Sequence, residues 1–189
     1  MDSNTDLWNK YTDDGLNDQH PEISTFIYNI CLGLGAKKVL EAGSNVGNNL
    51  ISFPVNFDMH GIDRNLHALE IAKEKYPNFN FKNENISKTS YPDSYFDLVF
   101  TRDVLIHIPK NEINNTLSEL YRISKKWIIH MEYFGEDGRM IDWKRGKNLL
   151  WHRNMKELWN DFNIEIISDE EIPKKVDFDR NRITIIKKI

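Results

Sequence analysis

An acidic residue and two glycines directly follow a short apolar run in the stretch VLEAGSNVGNNL, residues 39–50. Gly43 and Gly47 would let the backbone approach a ligand without an intervening side chain, and Asn45 is one of the few other residues that tolerate a left-handed conformation. A dinucleotide-binding turn has the pattern G-x-G-x-x-G, but Asn45 and Asn48 occupy two of its glycine positions. The stretch therefore predicts a cofactor site of another kind.

Apolar runs of strand length alternate with longer amphipathic segments along the chain, which predicts an α/β fold with a parallel sheet covered on both faces. The predicted strands are residues 38–41, 59–63, 79–83, 96–101, 127–133, 165–168 and 182–187. The connection between the last two strands, through Pro173 and Asp177, is too short for a crossover helix. These two strands are therefore expected to pair antiparallel.

Apolar residues recur every three or four positions in the segments between the predicted strands. We predict helices over residues 24–34, 66–75 and 112–124, and a further helix that starts over residues 46–52. The turn before residue 46 would then lie at the carboxyl edge of the sheet, where open α/β sheets bind ligands and a helix start offers free N–H groups.

Composition narrows the class of protein. The chain has 189 residues and a net charge of -4, which favours one domain over residues 1–189 and a small-molecule partner, and makes nucleic acid an unlikely one. Cys31 is the single cysteine, so no internal disulfide and no cysteine-cluster metal site is expected. The N-terminus lacks the order of a secretion signal, and apolar runs are shorter than the ~20 residues that span a bilayer. We expect a cytoplasmic protein without a membrane partner and predict no oligomeric state.

Four motifs occur in order along the chain. Glu41, Gly43, Asn45 and Gly47 follow the pattern acidic-x-Gly-x-Gly-x-Gly with one substitution, GIDRN ends the second strand with Asp63, KNENI follows the third, and YPDSYFDLVFTRDVLIHI spans the fourth. This order resembles class I S-adenosylmethionine-dependent methyltransferases. A looser likeness, to methylases associated with pseudaminic acid biosynthesis, is carried by EAGSNVGNNL, TRDVLIHI, ELYRISKKWIIHMEYF and KRGKNLLWHRNMKEL.

The resemblance implies a Rossmann-like three-layer sandwich with a seven-stranded, mostly parallel sheet and an antiparallel C-terminal hairpin. It also implies S-adenosylmethionine as cofactor and S-adenosylhomocysteine as product. Asp63 lies at a strand end 22 residues beyond Glu41, where a carboxylate can accept both ribose hydroxyls; its structural alternative is to cap the helix that begins near residue 65. The resemblance also implies that an N-terminal segment, residues 1–22, closes over the ligand. The implied cofactor-binding residues are Glu41, Gly43, Ser44, Asn45, Gly47, Asp63, Arg64, Asn85, Ile86, Thr101, Trp8 and Tyr11.

Methyl transfer from a sulfonium is an in-line displacement, so holding the nucleophile aligned and desolvated can contribute ~7–11 kcal/mol. His107 follows the fourth strand and is the predicted base, since an ordinary histidine pKa lies near ~6.5. Asp103 is predicted to accept the cofactor's amino group or a substrate proton, and Glu132 is the third catalytic candidate. Structural alternatives are a packed helix end for His107 and helix capping for Asp103.

Cations and aromatic rings are mixed in the polar segment 135–153, which is predicted to form a lid or acceptor loop. Arginine offers a planar fork for a carboxylate or phosphate. The predicted substrate-binding residues are Tyr133, Lys144, Arg145 and Arg153, and the predicted acceptor is a small polar metabolite such as a sugar or nucleotide-sugar. A solvated loop whose tryptophans pack on the core is the alternative.

Two other functions stay open from the sequence. A domain can bind S-adenosylmethionine or S-adenosylhomocysteine without transferring a methyl group, as a partner or regulatory subunit. The same fold also serves methyltransferases that act on macromolecules. The acidic balance opposes this, as does TRDVL at 101–105, where many amino-group methylases of bases have Asn/Asp-Pro-Pro-Tyr/Phe.

Overall fold

Seven strands form one sheet in a computed structural model that describes residues 3–179 and 181–189. The strands are β1 Lys38–Ala42, β2 Asp58–Asp63, β3 Asn80–Asn83, β4 Phe96–Arg102, β5 Ser124–Glu132, β6 Ile164–Glu171 and β7 Arg182–Lys188. Their order across the sheet is β3-β2-β1-β4-β5-β7-β6. Neighbouring strands from β3 to β5 pair parallel, whereas β7 pairs antiparallel with both β5 and β6. The predicted α/β class, mostly parallel sheet and C-terminal hairpin are confirmed.

Helices flank the sheet, and three of them match predicted segments to within three residues, whereas the first and the last were not predicted. The helices are α1 Ser3–Asp14, α2 Pro21–Gly33, α3 Leu66–Lys75, α4 Ile113–Ile123 and α5 Met155–Leu158. Pro21 begins α2, where its missing N–H costs nothing, and the Asn65 side chain caps α3 by accepting from the Ala68 N–H. In the described residues, helices are too short or too polar to cross a membrane.

Successive strand residues contribute to two apolar layers, one on each face of the sheet. Val39 packs in the cluster that contains Ile27 of α2 and Leu69 of α3, whereas Leu40 packs in the cluster that contains Leu117 of α4. Because side chains alternate along a strand, the central strands are apolar at consecutive positions and are covered on both faces. The result is the expected three-layer sandwich.

The predicted helix over residues 46–52 is wrong. Asn48–Leu50 form a single 3-10 turn, and the chain then runs through further turns to β2. Gly47 precedes that turn with a left-handed φ of 75°, and Pro54 ends any helix within a few residues. Ser24 of α2 stabilises the short connection, since its Oγ donates to the Asn49 carbonyl (2.7 Å) and accepts from the Ser52 N–H (2.9 Å). The turn after β1 therefore offers its own N–H groups rather than those of a helix start.

Candidate functional site: two adjoining cavities

A cavity of 840 Å³ lies at the carboxyl edge of β1, β2 and β4, the edge at which open α/β sheets bind ligands. Its wall combines the turn after β1, the end of β2 with the start of α3, the segment after β4, and one side of α1. Eight of the twelve predicted cofactor residues line it: Gly43, Ser44, Asn45, Asp63, Arg64, Ile86, Trp8 and Tyr11. We name it the larger cavity.

A second cavity of 420 Å³, the smaller cavity, adjoins the first. Residues 141–145 form much of its wall, together with Tyr133 from the segment after β5. Three of the four predicted substrate-binding residues, Tyr133, Lys144 and Arg145, therefore meet there. The border between the cavities is formed by residues that line both: Tyr11, Asp103, His107, Arg145 and Asp179.

The turn after β1 requires glycine at its first bend. Gly43 has a φ of +84°, and a Cβ there would lie 2.3 Å from a methyl group of Val104. Asn45 is also left-handed, with a φ of 45°. The turn thus reaches the segment after β4 by backbone contact, which brings two walls of the larger cavity together.

Asp63 joins two other parts of the same wall. Its Oδ2 accepts from the Asn45 N–H (2.9 Å), and its Oδ1 accepts from the Asn65 N–H (2.8 Å). Burial raises the pKa of Asp63 above its usual value, and the two backbone donors counteract that rise. Each carboxylate oxygen keeps a second acceptor position, so the side chain can also receive ligand hydroxyls. Asn65, rather than Asp63, is the cap of α3.

Helix α1 lines one side of the larger cavity. Three consecutive residues of this helix, Thr12, Asp13 and Asp14, contact other parts of the chain. The Thr12 hydroxyl donates to Asn45 Oδ1 (3.0 Å) and accepts from Asn65 Nδ2 (3.1 Å). Asp13 contacts His67 of α3 at 2.7 Å, and Asp14 pairs with Arg145 at 2.5 Å. Residues of α1 thus line the cavity, although α1 itself was not predicted as a helix; closure of the N-terminal segment over a cofactor stays a prediction.

His107 lies at the border and packs against two tryptophan rings, which also contact each other. The centroids of the Trp8 and Trp143 rings are 5.0 and 5.1 Å from that of the imidazole. Burial lowers the pKa of His107 to about 4, so the ring is neutral at pH 7. Its Nδ1 lies 2.6 Å from the Leu149 carbonyl, which can only accept. Nδ1 therefore carries the proton, and Nε2 keeps the basic lone pair.

Carboxylates outnumber cations around Asp103. Its Oδ1 accepts from Asn181 Nδ2 (2.8 Å), and its Oδ2 lies 3.2 Å from Arg102 Nη1. The same guanidinium pairs with Asp177 at 3.0 Å and with Asp179 at 3.6 Å. Burial raises the pKa of Asp103 to about 6, against the opposing effect of Arg102. This part of the border favours a cationic or hydrogen-bond-donating ligand group.

Three predicted site residues are buried behind the border. Thr101 donates its hydroxyl to Glu132 Oε1 (2.8 Å), and the Glu132 carboxylate also accepts from backbone N–H groups of residues 104–106. Burial raises the pKa of Glu132 to about 7. Arg153 is 1% exposed and donates to the carbonyls of Leu105 and Ile108. The structure brings these side chains to the loop that carries His107 rather than to the cavity surface.

Three predicted cofactor residues lie beneath or beside the larger cavity. Glu41 is fully buried, and its Oε1 accepts from Asn49 Nδ2 (2.6 Å); burial raises its pKa to about 8. Gly47 has its Cα facing the Tyr76 ring. The Asn85 side chain stabilises a local turn, in which its Oδ1 accepts from the Ser87 N–H (2.9 Å).

Several lining residues were not identified from the sequence. Thr12 follows Trp8 and Tyr11 at helical spacing, so amphipathic periodicity was the available signal in α1. Asn65, Val104 and Asp179 also line the larger cavity. Asp179 comes from the connection between β6 and β7, which gives no local indication that it reaches this site.

Comparison with known proteins finds similarity over about half of the chain. Residues 39–126 match a family model described as a methyltransferase domain. The phosphoethanolamine N-methyltransferase of Triticum aestivum is 30% identical over 98 residues, which cover 49% of this chain and 18% of that protein. The phosphoethanolamine N-methyltransferase of Plasmodium falciparum (isolate 3D7) is 27% identical over 96 residues, 48% of this chain and 35% of that protein. The match thus spans only a minor part of each relative.

Solved structures resemble the whole chain. Magnesium protoporphyrin IX methyltransferase from Synechocystis PCC 6803, crystallised with S-adenosylmethionine, has a TM-score of 0.72 at 16% identity and covers 100% of this chain and 92% of its own. The 1,6-didemethyltoxoflavin-N1-methyltransferase of Burkholderia thailandensis, with bound 1,6-didemethyltoxoflavin and S-adenosylhomocysteine, has a TM-score of 0.75 at 14% identity. The match covers 97% of this chain and 86% of that one. The resemblance to class I methyltransferases is confirmed in the family match and the fold, while the pseudaminic-acid likeness stays a prediction.

Proposed function

We propose that this chain, which carries a class I methyltransferase domain, binds S-adenosylmethionine in the larger cavity and transfers its methyl group to a small polar metabolite in the smaller one. One observation carries the proposal: two cavities adjoin at a border that contains a neutral, half-buried histidine and a carboxylate. A cofactor and an acceptor bound side by side would meet there.

The larger cavity fits this cofactor in its donors and acceptors. Ser44 is buried in the wall, and its Oγ has no hydrogen-bond partner within the part of the chain that the structure describes. We assign the turn around Ser44 to the methionine portion, the free acceptor positions of Asp63 to the ribose hydroxyls, and Arg64 and Ile86 to the adenine. When bound, the cofactor supplies an electrophilic methyl group on sulfur.

Residues at the border would act on the nucleophile. His107 is neutral at pH 7 with its lone pair at Nε2, so it can accept a hydrogen bond from an acceptor hydroxyl or ammonium and orient that group, while its lowered pKa makes it a weak base. The Asp103 carboxylate can orient a donor group of the acceptor by hydrogen bonding. Trp8 and Trp143 pack against His107, and Tyr11 packs against both tryptophans, so aromatic rings would limit the access of water to the reacting atoms.

Charges of both signs line the smaller cavity, which favours an acceptor that carries both a cationic and an anionic group. The cations are Lys144 and Arg145, and the carboxylates are Asp103, Asp142 and Asp179. An acidic sugar or nucleotide-sugar would satisfy the two cations. A molecule with both an amine and a phosphate would use the carboxylates as well, and phosphoethanolamine, for which the curated relatives are named, has this combination.

The first experiment is a calorimetric titration of S-adenosylmethionine and S-adenosylhomocysteine into the native protein, Asp63→Ala and Asp58→Ala. Asp58 is exposed at the opposite end of β2, so its variant is the matched control. We expect micromolar binding that weakens about 10- to 100-fold in Asp63→Ala, the equivalent of one or two hydrogen bonds to a charged group. Absence of binding to the folded native protein would refute the proposal.

Release of S-adenosylhomocysteine, measured with each candidate acceptor, tests the transfer step. The screen contains phosphoethanolamine, acidic sugars and their nucleotide conjugates, with a protein and a nucleic acid sample included. Turnover with a small acceptor supports the proposal. Tight cofactor binding without turnover would favour the non-catalytic binding domain, and turnover with only the polymeric samples would favour a macromolecular substrate.

A further inference from the structure

We propose that Glu132 and Arg153 are positioning residues that together fix the border loop, residues 103–108. This loop carries Asp103 and His107 to the junction of the two cavities. Both side chains then have a role different from the catalytic and substrate-binding roles that their residue types suggested. The kinetic consequence of this role rests on the proposed methyl transfer, whereas its structural consequence does not.

Glu132 satisfies the donors of the border loop. Its carboxylate accepts from the N–H groups of Val104 (3.1 Å), Leu105 (3.2 Å) and Ile106 (3.2 Å), three consecutive residues. Thr101 adds a fourth donor at 2.8 Å and so aims the carboxylate at the loop. Buried backbone donors need partners, and the loop forms only one 3-10 turn of its own. A single side chain at the end of β5 thus supplies what regular secondary structure does not.

Arg153 satisfies the acceptors of the same loop. Its Nε donates to the Leu105 carbonyl at 2.8 Å, and its Nη2 donates to the Ile108 carbonyl. The backbone N–H of Trp151, two residues earlier, donates to the Ile106 carbonyl at 2.9 Å. The planar guanidinium is suited to this task because two of its donors are held at a fixed separation. Segment 149–153, which also holds His107 through the Leu149 carbonyl, therefore fixes the second side of the loop.

The two side chains satisfy opposite kinds of backbone group in the same loop. The carboxylate takes the N–H groups, the guanidinium takes the C=O groups, and both are almost completely buried. The loop cannot rotate without breaking bonds to one of them. Since the Val104 methyl groups lie against Gly43, the same arrangement also sets the loop against the turn of the larger cavity. A displacement of about 1 Å at reacting groups can cost about 100-fold in rate.

Glu132→Gln and Arg153→Lys test the proposal, with Glu119→Gln as the matched control. A glutamine would replace one carboxylate oxygen by an NH2 group and so set donors against one or two of the three loop N–H groups, and a lysine cannot span the two carbonyls. Like Glu132, Glu119 accepts a backbone N–H, from Thr89 at 2.7 Å, and it also pairs with Arg122 at 2.7 Å. It lies on α4, however, and lines neither cavity. Its loss should lower thermal stability and leave the border loop unchanged.

Amide hydrogen exchange at residues 104–106 is the primary measurement. We expect exchange at least about tenfold faster in both positioning variants than in the native protein, with protection of α4 retained. Turnover should fall about 10- to 100-fold in kcat with acceptor KM and cofactor Kd within about threefold. Glu119→Gln should match the native protein in loop exchange and kcat.

Unchanged exchange of the loop amides in the two positioning variants would overturn the inference. A rise in acceptor KM with unchanged kcat in Arg153→Lys would also overturn it, because that result assigns Arg153 to acceptor binding. If Glu132→Gln does not fold, Arg153→Lys decides the question from the other side of the loop. If the native protein proves to lack methyl transfer, the exchange measurement still decides the structural claim, so failure of the proposed function is distinguishable from failure of this one.

Discussion

The larger and smaller cavities differ in how much of their walls comes from the carboxyl edge of the sheet. Much of the larger cavity comes from the turn after β1 and from residues 62–67, which adjacent parallel strands bring to one edge of the sheet. The smaller cavity draws on α1, the border loop, residues 133–150 and the connection between β6 and β7. A site at a parallel sheet edge follows from strand order, whereas a site closed by loops depends on how those loops pack.

Gly43→Ala should break the larger cavity and produce the largest effect. A left-handed alanine costs about 1–2 kcal/mol, and the overlap of its Cβ with Val104 costs about 1–3 kcal/mol more. We expect cofactor affinity to fall at least about 100-fold, the equivalent of about 2.7 kcal/mol. Denaturant unfolding and cofactor titration measure the two losses.

Gly35→Ala is the control for that strain. Gly35 has a φ of +67°, but its Cβ would meet open space. The control should therefore lose about 1–2 kcal/mol of stability and retain the cofactor affinity of the native protein. Equal affinity losses in the two variants would mean that the turn acts through global stability, not through the wall of the larger cavity.

Glu41→Gln should change the pH dependence of stability beneath the larger cavity. Burial raises the pKa of Glu41 to about 8 in the folded state, above its usual value of 4.5, so the folded protein binds the extra proton between these values. The protonated Glu41 carboxyl therefore stabilises the folded state fully below pH 4.5, and this stabilisation is lost as the pH rises towards 8. Between pH 5 and pH 8 the free energy of unfolding of the variant should rise by about 2 kcal/mol relative to that of the native protein. This is less than the 1.36 kcal/mol per pKa unit of the full shift, because relaxation of the folded protein reduces the effect.

Urea unfolding at pH 5 and pH 8 measures this difference. Glu74→Gln, which changes an exposed carboxylate on α3, should show parallel pH profiles for variant and native protein. A Glu41→Gln profile parallel to the native one would show that Glu41 is ionised in the folded state throughout this range.

Lys144→Met should affect the smaller cavity alone and produce the smallest effect. Lys144 lines that cavity and not the larger one. We expect acceptor KM to rise about fivefold with cofactor Kd unchanged, since a solvent-accessible charge contributes about 1 kcal/mol. Lys147→Met, three residues further along the same segment and exposed, serves as the control for charge in steady-state kinetics. A cofactor Kd that moves with KM would mean that the two cavities do not bind separate ligands.

Local pattern in the sequence predicted most of the fold. Each predicted strand overlaps an observed one, and α3 begins and ends at the predicted residues 66 and 75. These elements are amphipathic or continuously apolar, so their burial is encoded in their own residues. The helix over 46–52 was wrong because periodicity does not register the effect of Gly47 and Pro54 on so short a segment, and α1 was missed because its apolar face has few residues.

The candidate site likewise contains residues that the sequence predicted correctly to line a cavity and residues that it did not. Gly43, Asn45 and Asp63 were identified from their positions at strand ends, and they line the larger cavity. Glu132 and Arg153 have the residue types of a catalytic acid and an anion-binding fork, but their hydrogen bonds go to the border loop. Residue type and strand position alone did not distinguish a side chain that faces a ligand from one that holds a neighbouring loop.

The sequence by itself determined the α/β architecture and the edge at which a ligand would bind, because alternation along strands and glycine in a turn are local physical constraints. Only the tertiary structure decided which charged groups are buried, which nitrogen of His107 keeps its lone pair, and which segments enclose the smaller cavity. These depend on hydrogen bonds between residues distant in the chain, such as Asp14 with Arg145 and Asp103 with Asn181. Such pairs form only when packing has brought their elements together, so no local pattern records them.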